Sequence, residues 1–165
     1  MADDALLSVE IKTDALKRLA TALKAEADGK ALRKELSANM RDALKPAAAD
    51  AKAGIISMPA KTTAAPGLRS SVARRIRPEV RLSGRSTGAR VKAKKIKVRG
   101  FANAPKRTQS AKGWRRRVYG SDNWVTQHGK VDWFDRAMDG KRGGYTAAVK
   151  DAMDAMAERI ARRAR

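Results

Sequence analysis

Between Asp50 and Asp122 the chain has twenty lysines and arginines and a single acid, Glu79. No other feature limits the fold so much, because a buried cation needs a carboxylate or several well-placed acceptors. Residues 1–50 hold nine basic and nine acidic side chains, and residues 122–165 hold nine and seven. Two balanced ends therefore flank a middle of net charge +19, in a chain whose total is +21. Such a charge calls for a polyanion or for assembly partners.

With 165 residues, of which 42% are hydrophobic, the chain is expected to form one domain around a single modest core. Cysteine is absent, so disulfides and thiolate metal sites are excluded and packing alone must hold the fold. No apolar run reaches the roughly 18 residues of a membrane span. The N-terminus Met1-Ala2-Asp3-Asp4 is acidic where a signal peptide would be basic. A soluble, unexported protein without membrane contact is expected.

Leu7, Val9 and Ile11 alternate with polar residues as in a strand, and Thr13-Asp14 offers N-cap oxygens to a helix. Leu16, Leu19, Ala20, Leu23 and Ala27 then share one helical face, with Gly29 as a stop or kink. A second run, Leu32, Leu36, Met40 and Leu44, continues through Ala47, Ala48, Ala51 and Ile55. Pro46 should kink or restart it and Met58-Pro59 should end it. These residues define a helical N-terminal region over 1–58.

Residues 62–126 read as a basic strand and loop region. Val72–Arg77, Glu79–Leu82 and Arg90–Val98 look β-like, with a turn at Ser83–Gly88. In the longest piece Val91 and Ala93 have one parity and Ile96 and Val98 the other, which suggests a bulge or a weak register, in an edge strand or a long hairpin arm. Lys92, Lys94, Lys95, Lys97 and Arg99 put charge on both faces, as in an exposed arm. Gly100–Gly113 has little to bury, so a mobile arm is expected over about 82–113. Trp114–Tyr119 and Trp124–Val125 should pair around the turn Gly120-Ser121-Asp122-Asn123.

In a C-terminal helical region over 131–165, Tyr145, Ala148, Val149, Ala152, Met153, Met156 and Ile160 form one stripe. Arg159, Arg162, Arg163 and Arg165 complement the negative end of its dipole. The expected fold class is α+β: N-terminal helices, an antiparallel sheet with a long basic hairpin or arm, and a C-terminal amphipathic helix. Core candidates are Leu16, Leu19, Leu23, Leu36, Met40, Trp124, Trp133, Phe134, Val149, Met153, Met156 and Ile160.

Catalytic chemistry finds no footing. His128 is the only histidine, with Ser121 and Asp132 its sole paper partners, and no phosphate-cradling Gly-Lys-Ser/Thr loop occurs. Asp132, Asp135 and Asp139 could be imagined around magnesium, but the latter two are one helical turn apart and expected to be solvated. The chain is read as a non-enzyme without cofactor or metal. Twenty cations attract phosphate at low salt whatever the fold. Few aromatic residues lie among them, so a single-strand stacking platform is not expected, and non-specific backbone contact, or contact with an acidic protein surface, fits better than base readout.

Met58-Pro59-Ala60 followed by Pro66-Gly67-Leu68-Arg69-Ser70-Ser71 is similar to the "Pro, Thr-Gly, Leu-Arg, Ser" step of the tail-completion or neck proteins of long-tailed bacteriophages. Trp124 to Gly129, leading to Val131-Asp132-Trp133-Phe134-Asp135-Arg136-Ala137-Met138, resembles that family's aromatic entry to its last helix. The order of parts resembles the family over nearly the whole chain. Here Pro66-Gly67 stands for the usual Thr-Gly, Gln127-His128-Gly129 stands for a His-Pro-like turn, and the basic middle is long. The resemblance implies a virion protein at the head-to-tail junction, assembled in the host cytoplasm as a cyclic ring, hexameric or dodecameric, that joins head connector to tail and lets DNA pass. Its implied partners are further copies of itself, head-connector and tail-terminator or tail-tube proteins, and packaged double-stranded DNA. Contact candidates are Arg74, Arg75, Lys94, Lys95, Arg115, Arg116 and Arg117. The competing class is a nucleoid- or ribosome-associated protein that binds nucleic acid without sequence preference.

Overall fold

Periodic apolar spacing decides the helices, and the computed structural model, described for residues 5–11, 14–59, 67–118 and 120–163, has them where the spacing is strongest. β1 (Ala5–Ile11) leads to α1 (Asp14–Ala25), which buries Leu16, Ala20 and Leu23 and leaves Leu19 half-buried. α2 (Gly29–Ala43) starts at Gly29 and buries Leu32, Leu36 and Met40, three residues spaced by one turn. Gly29 is needed there, because a Cβ would lie 2.2 Å from the Leu23 carbonyl oxygen. The restart at Pro46 takes the form of α3 (Lys45–Ile56), where the proline falls in the first turn and its missing N–H costs nothing.

The basic middle departs from its sequence pattern. Val72 belongs to a helix, α4 (Leu68–Ala73), because Leu68 and Val72 are four apart and Val72 points into the core. β2 (Ile76–Arg81) and β3 (Gly88–Lys94) follow, joined by the turn at Ser83–Gly88, where Gly84 has φ +79°. The sheet is antiparallel with order β1-β3-β2, so β3 is its central strand and not an edge arm. Every residue from Gly88 to Ala93 is buried, Lys92 to 1% exposure and Arg90 to 5%. β3 ends at Lys94, short of the expected Val98.

The rest of the expected arm also folds. α5 (Ala104–Gln109) buries Ala104, Pro105 and Thr108, with the Trp133 indole bonded to the Thr108 hydroxyl. Next come β4 (Trp114–Arg117), β5 (Trp124–Gln127), α6 (Trp133–Met138) and α7 (Arg142–Arg163). The architecture is α+β with a C-terminal helix. Thr13, Ala60, Thr62, Pro66, Tyr119 and Arg165, invoked above, lie outside the described residues.

The chain divides into two compact units. One comprises Val9–Ala48, Pro78–Val91 and Gly140–Arg165. In it α1, α2 and α7 pack pairwise, with Tyr145, Val149, Met153 and Met156 of α7 buried and Ile160 half-buried. Arg159 of α7 pairs with Glu35 of α2. The other comprises Met1–Ser8, Ala49–Arg77 and Lys92–Asp139. Its core gathers Ala51, Ile55, Val72, Ile76, Ala104, Trp133, Phe134 and Met138.

Candidate assembly surface

The second unit is organised around the C-terminal end of α3. Helix ends leave carbonyls without intrahelical donors, and here cations fill that role. Arg69 donates from Nη1 to the carbonyl oxygens of Ile56 and Met58, at 3.0 and 2.9 Å. Lys130 donates to the Ser57 hydroxyl at 2.7 Å, and that hydroxyl donates to the Gly54 carbonyl at 2.9 Å. Arg69, from the Leu-Arg step, is thereby bound to Met58 of the Met-Pro step, so two separate stretches of the first motif meet as a helix cap.

The second motif packs against the same helix. Trp133 is 1% exposed and lies so close to α3 that a Cβ at Gly54 would be 2.8 Å from its carbonyl oxygen. Its indole Nε1 donates to the Thr108 hydroxyl at 3.1 Å, and that hydroxyl donates to the Ala104 carbonyl at 2.8 Å. Gln109 serves as a side-chain cap from outside α6: its Oε1 accepts the Phe134 N–H at 3.1 Å, and its amide donates to Asp135. Asp135, considered above as a metal ligand, is occupied by that bond. Gly129 passes within van der Waals distance of α5, where a Cβ would meet the Thr108 carbonyl oxygen at 2.2 Å.

From this knot the β4–β5 ribbon projects. It is antiparallel, with Trp114 opposite Gln127, Arg115 opposite Thr126, Arg116 opposite Val125 and Arg117 opposite Trp124. Gly113, at φ +63°, enters it where a Cβ would be 2.1 Å from the Gln127 carbonyl oxygen. Alternation puts Trp114, Arg116, Val125 and Gln127 on one face and Arg115, Arg117, Trp124 and Thr126 on the other. Trp114 on the first face stacks at a tilt on Phe101, centroids 5.3 Å apart, with the Arg107 guanidinium 5.1 Å from the Phe101 ring on the same cluster.

On the second face all four side chains are exposed. Trp124, expected in the core, is 57% exposed, since its register places it on the open side of a two-stranded sheet. The Arg115 guanidinium lies 5.7 Å from its ring centre, a diagonal neighbour across the ribbon. Arg117 pairs with Asp122 and donates from Nε to the Ser121 carbonyl at 2.9 Å, which ties down the turn. His128 is exposed, its Nδ1 3.2 Å from the Ala111 carbonyl oxygen, and neither Ser121 nor Asp132 is its partner.

The remaining contact candidates lie elsewhere in this unit. Arg74 and Lys95 are exposed and Lys94 is half-buried. Arg75 is committed to structure, donating from Nε to the Lys95 carbonyl at 2.9 Å and accepting the Lys94 N–H on its own carbonyl at 3.2 Å. Thr108 and Gln109 had no sequence signal, because small and amide side chains carry no periodicity of their own. Among the described residues no helix is long and apolar enough to cross a membrane. Comparison with family models, with curated proteins and with solved structures found no match.

Proposed function

We propose that this protein is a structural component of a bacteriophage head-to-tail junction, of the tail-completion or neck type, and that the β4–β5 ribbon is a contact through which it joins its neighbours. The observation that supports this is the open ribbon face carrying Trp124 at 57% exposure, opposite Arg117 and diagonal to Arg115. A two-stranded ribbon is marginal in water by itself. Tryptophan and arginine are the residues that dominate protein interfaces when buried there. A ribbon seated on a different patch of the next copy is a heterologous contact, which closes into a ring when repeated by the right rotation. Its cation and aromatic groups equally suit an acidic face of a neighbouring junction protein.

The test combines Trp124→Ala with Arg115→Glu in particles from the source, read by cryo-electron microscopy of a C-terminally tagged chain and by infectivity. The side chains are exposed, so circular dichroism of the isolated variant should match the parent. Ring density at the junction with the parent, and loss of that density and of infectivity with the variant, are the expected results. Normal incorporation of the variant would remove the ribbon from the contact, and absence of the parent from particles would remove the junction role altogether.

A further inference from the structure

The helical end of the chain, neutral in sum, has a groove whose charged lining residues are all cations. It lies wholly within the unit of α1, α2 and α7, has a volume of about 490 Å³, and takes Lys24 from α1 and Lys30, Arg33 and Lys34 from α2. On a helix rising 1.5 Å per residue, positions 30, 33, 34, 37 and 41 follow one another along one side over roughly 16 Å. Segregation of this kind is invisible to a charge count over residues 1–50. Among the described acids near it, Glu35 pairs with Arg159 and Asp42 with Lys45, and neither Glu26 nor Asp28 lines the groove.

Among the described residues, Lys24, Lys30, Arg33 and Lys34 make no ion pair. Ser37, 8% exposed, lies at the groove and accepts from Arg41 Nη2 at 2.7 Å. Its own proton is thus left to an acceptor entering the groove. Val80 and Leu82, both half-buried, supply an apolar wall.

We infer that this groove binds the phosphodiester backbone of duplex nucleic acid, by charge and without sequence preference. Lysine is depleted at protein interfaces, which rely on desolvated aromatic anchors, and this groove has three lysines and no aromatic side chain. Linear phosphate, by contrast, is neutralised by lysine and arginine in series, at 3.4 Å of axis per phosphate on each strand. The serine hydroxyl suits a phosphate oxygen, and the short apolar wall suits sugar edges. Without an aromatic platform, base stacking has no purchase. The inference stands on the groove's own chemistry and does not depend on the junction role, which concerns the ribbon.

The experiment uses the full chain and a fluorescein-labelled mixed-sequence 30-base-pair DNA, with anisotropy read between 50 and 200 mM NaCl. The variant Lys30→Gln/Arg33→Gln/Lys34→Gln removes three groove charges. The control Lys106→Gln/Lys112→Gln/Arg136→Gln removes three exposed charges from the other unit. Each lost phosphate contact lowers the slope of log K against log salt by about 0.9. The groove variant should therefore flatten the slope by roughly 2.7, which makes its affinity loss over this salt range about 40-fold smaller than the parent's. The control should change the slope by less than about one contact's worth.

Lys30→Gln/Lys34→Gln, confined to exposed side chains, should flatten it by about 1.8 and guards against misfolding of the triple variant. Equal effects of the two triples would reduce the binding to net charge and overturn the site. So would no binding by the parent at 50 mM, or displacement of the DNA by poly-glutamate at equal charge concentration, which would make an acidic protein the occupant.

Discussion

Thr108 and Trp133 form a contact whose loss can be worked out in advance. Both side chains are essentially sealed from water, at 0% and 1% exposure, and the hydroxyl is the acceptor for the indole N–H at 3.1 Å. Thr108→Val keeps the shape of the side chain and removes only the hydroxyl, which is both acceptor and donor. The indole N–H is then left dry, at a cost of about 1–3 kcal/mol, while the hydroxyl's bond to the Ala104 carbonyl disappears with its donor. A loss of about 2 kcal/mol corresponds to roughly 4–8 °C in a chain of this size. The assay is urea unfolding followed by tryptophan fluorescence and circular dichroism, in a cycle with Trp133→Phe. On the phenylalanine background there is no N–H to strand, so Thr108→Val should cost at least about 1 kcal/mol less than in the parent. A loss below about 0.5 kcal/mol in the parent, or equal losses on both backgrounds, would show that this bond does not hold α5 to α6.

Gly129→Ala should destabilise by more than about 2 kcal/mol, because its Cβ would be 2.2 Å from backbone and no flexible side chain can give way; chemical unfolding reads this directly. Gly113→Ala adds a positive φ to a 2.1 Å clash and should unpair β4 from β5, seen as loss of protection of the ribbon amides in hydrogen exchange. Arg69→Ala removes the Nη1 group that donates to both carbonyls at the end of α3 and should lower stability by about 1–2 kcal/mol, with Arg69→Lys recovering part of it, since an ammonium can donate to two acceptors but sits on a shorter stem.

What could be read from the sequence followed the strength of its periods. The stripes Leu16 to Leu23, Leu32 to Leu44 and Tyr145 to Met156 are long enough for one face to stand out, and they form buried helix faces. Pro46 and the Ser83–Gly88 turn act through local backbone restrictions and needed no tertiary context. α5 was hidden because Ala104, Pro105 and Thr108 are too small to mark a face, and Thr108 meets its tryptophan partner from 25 residues along the chain.

The ribbon itself was legible, but the side on which Trp124 falls was not, because a two-stranded sheet has an open face that alternation does not identify. The groove of Lys30, Arg33 and Lys34 was hidden differently: pairing of Glu35 and Asp42 elsewhere leaves cations behind in a segment whose sum is zero.

β3 is the largest departure, and it turns on the one acid of the basic middle. Arg90 and Lys92 alternate with Ala89, Val91 and Ala93, a pattern that resembles an exposed strand until neighbours lie on both edges. Glu79 on β2 accepts from Arg90 Nη2 at 3.1 Å and from Arg81 Nε at 2.9 Å on the same oxygen, with side-chain exposures of 20% for Glu79 and 6% for Arg90. A pair this enclosed gains little over an apolar pair of equal volume, but removing its carboxylate takes a charged partner from a nearly buried Arg90, at up to about 3–5 kcal/mol. Glu79→Gln should therefore cost about 2–4 kcal/mol, the amide keeping one acceptor but no charge. Glu79→Leu combined with Arg90→Met should recover most of that loss, and the comparison by chemical unfolding is decisive. If Glu79→Gln falls within about 1 kcal/mol of the parent, the pair is behaving as a surface contact, and the seat of Arg90 in the central strand owes nothing to the lone acid across from it.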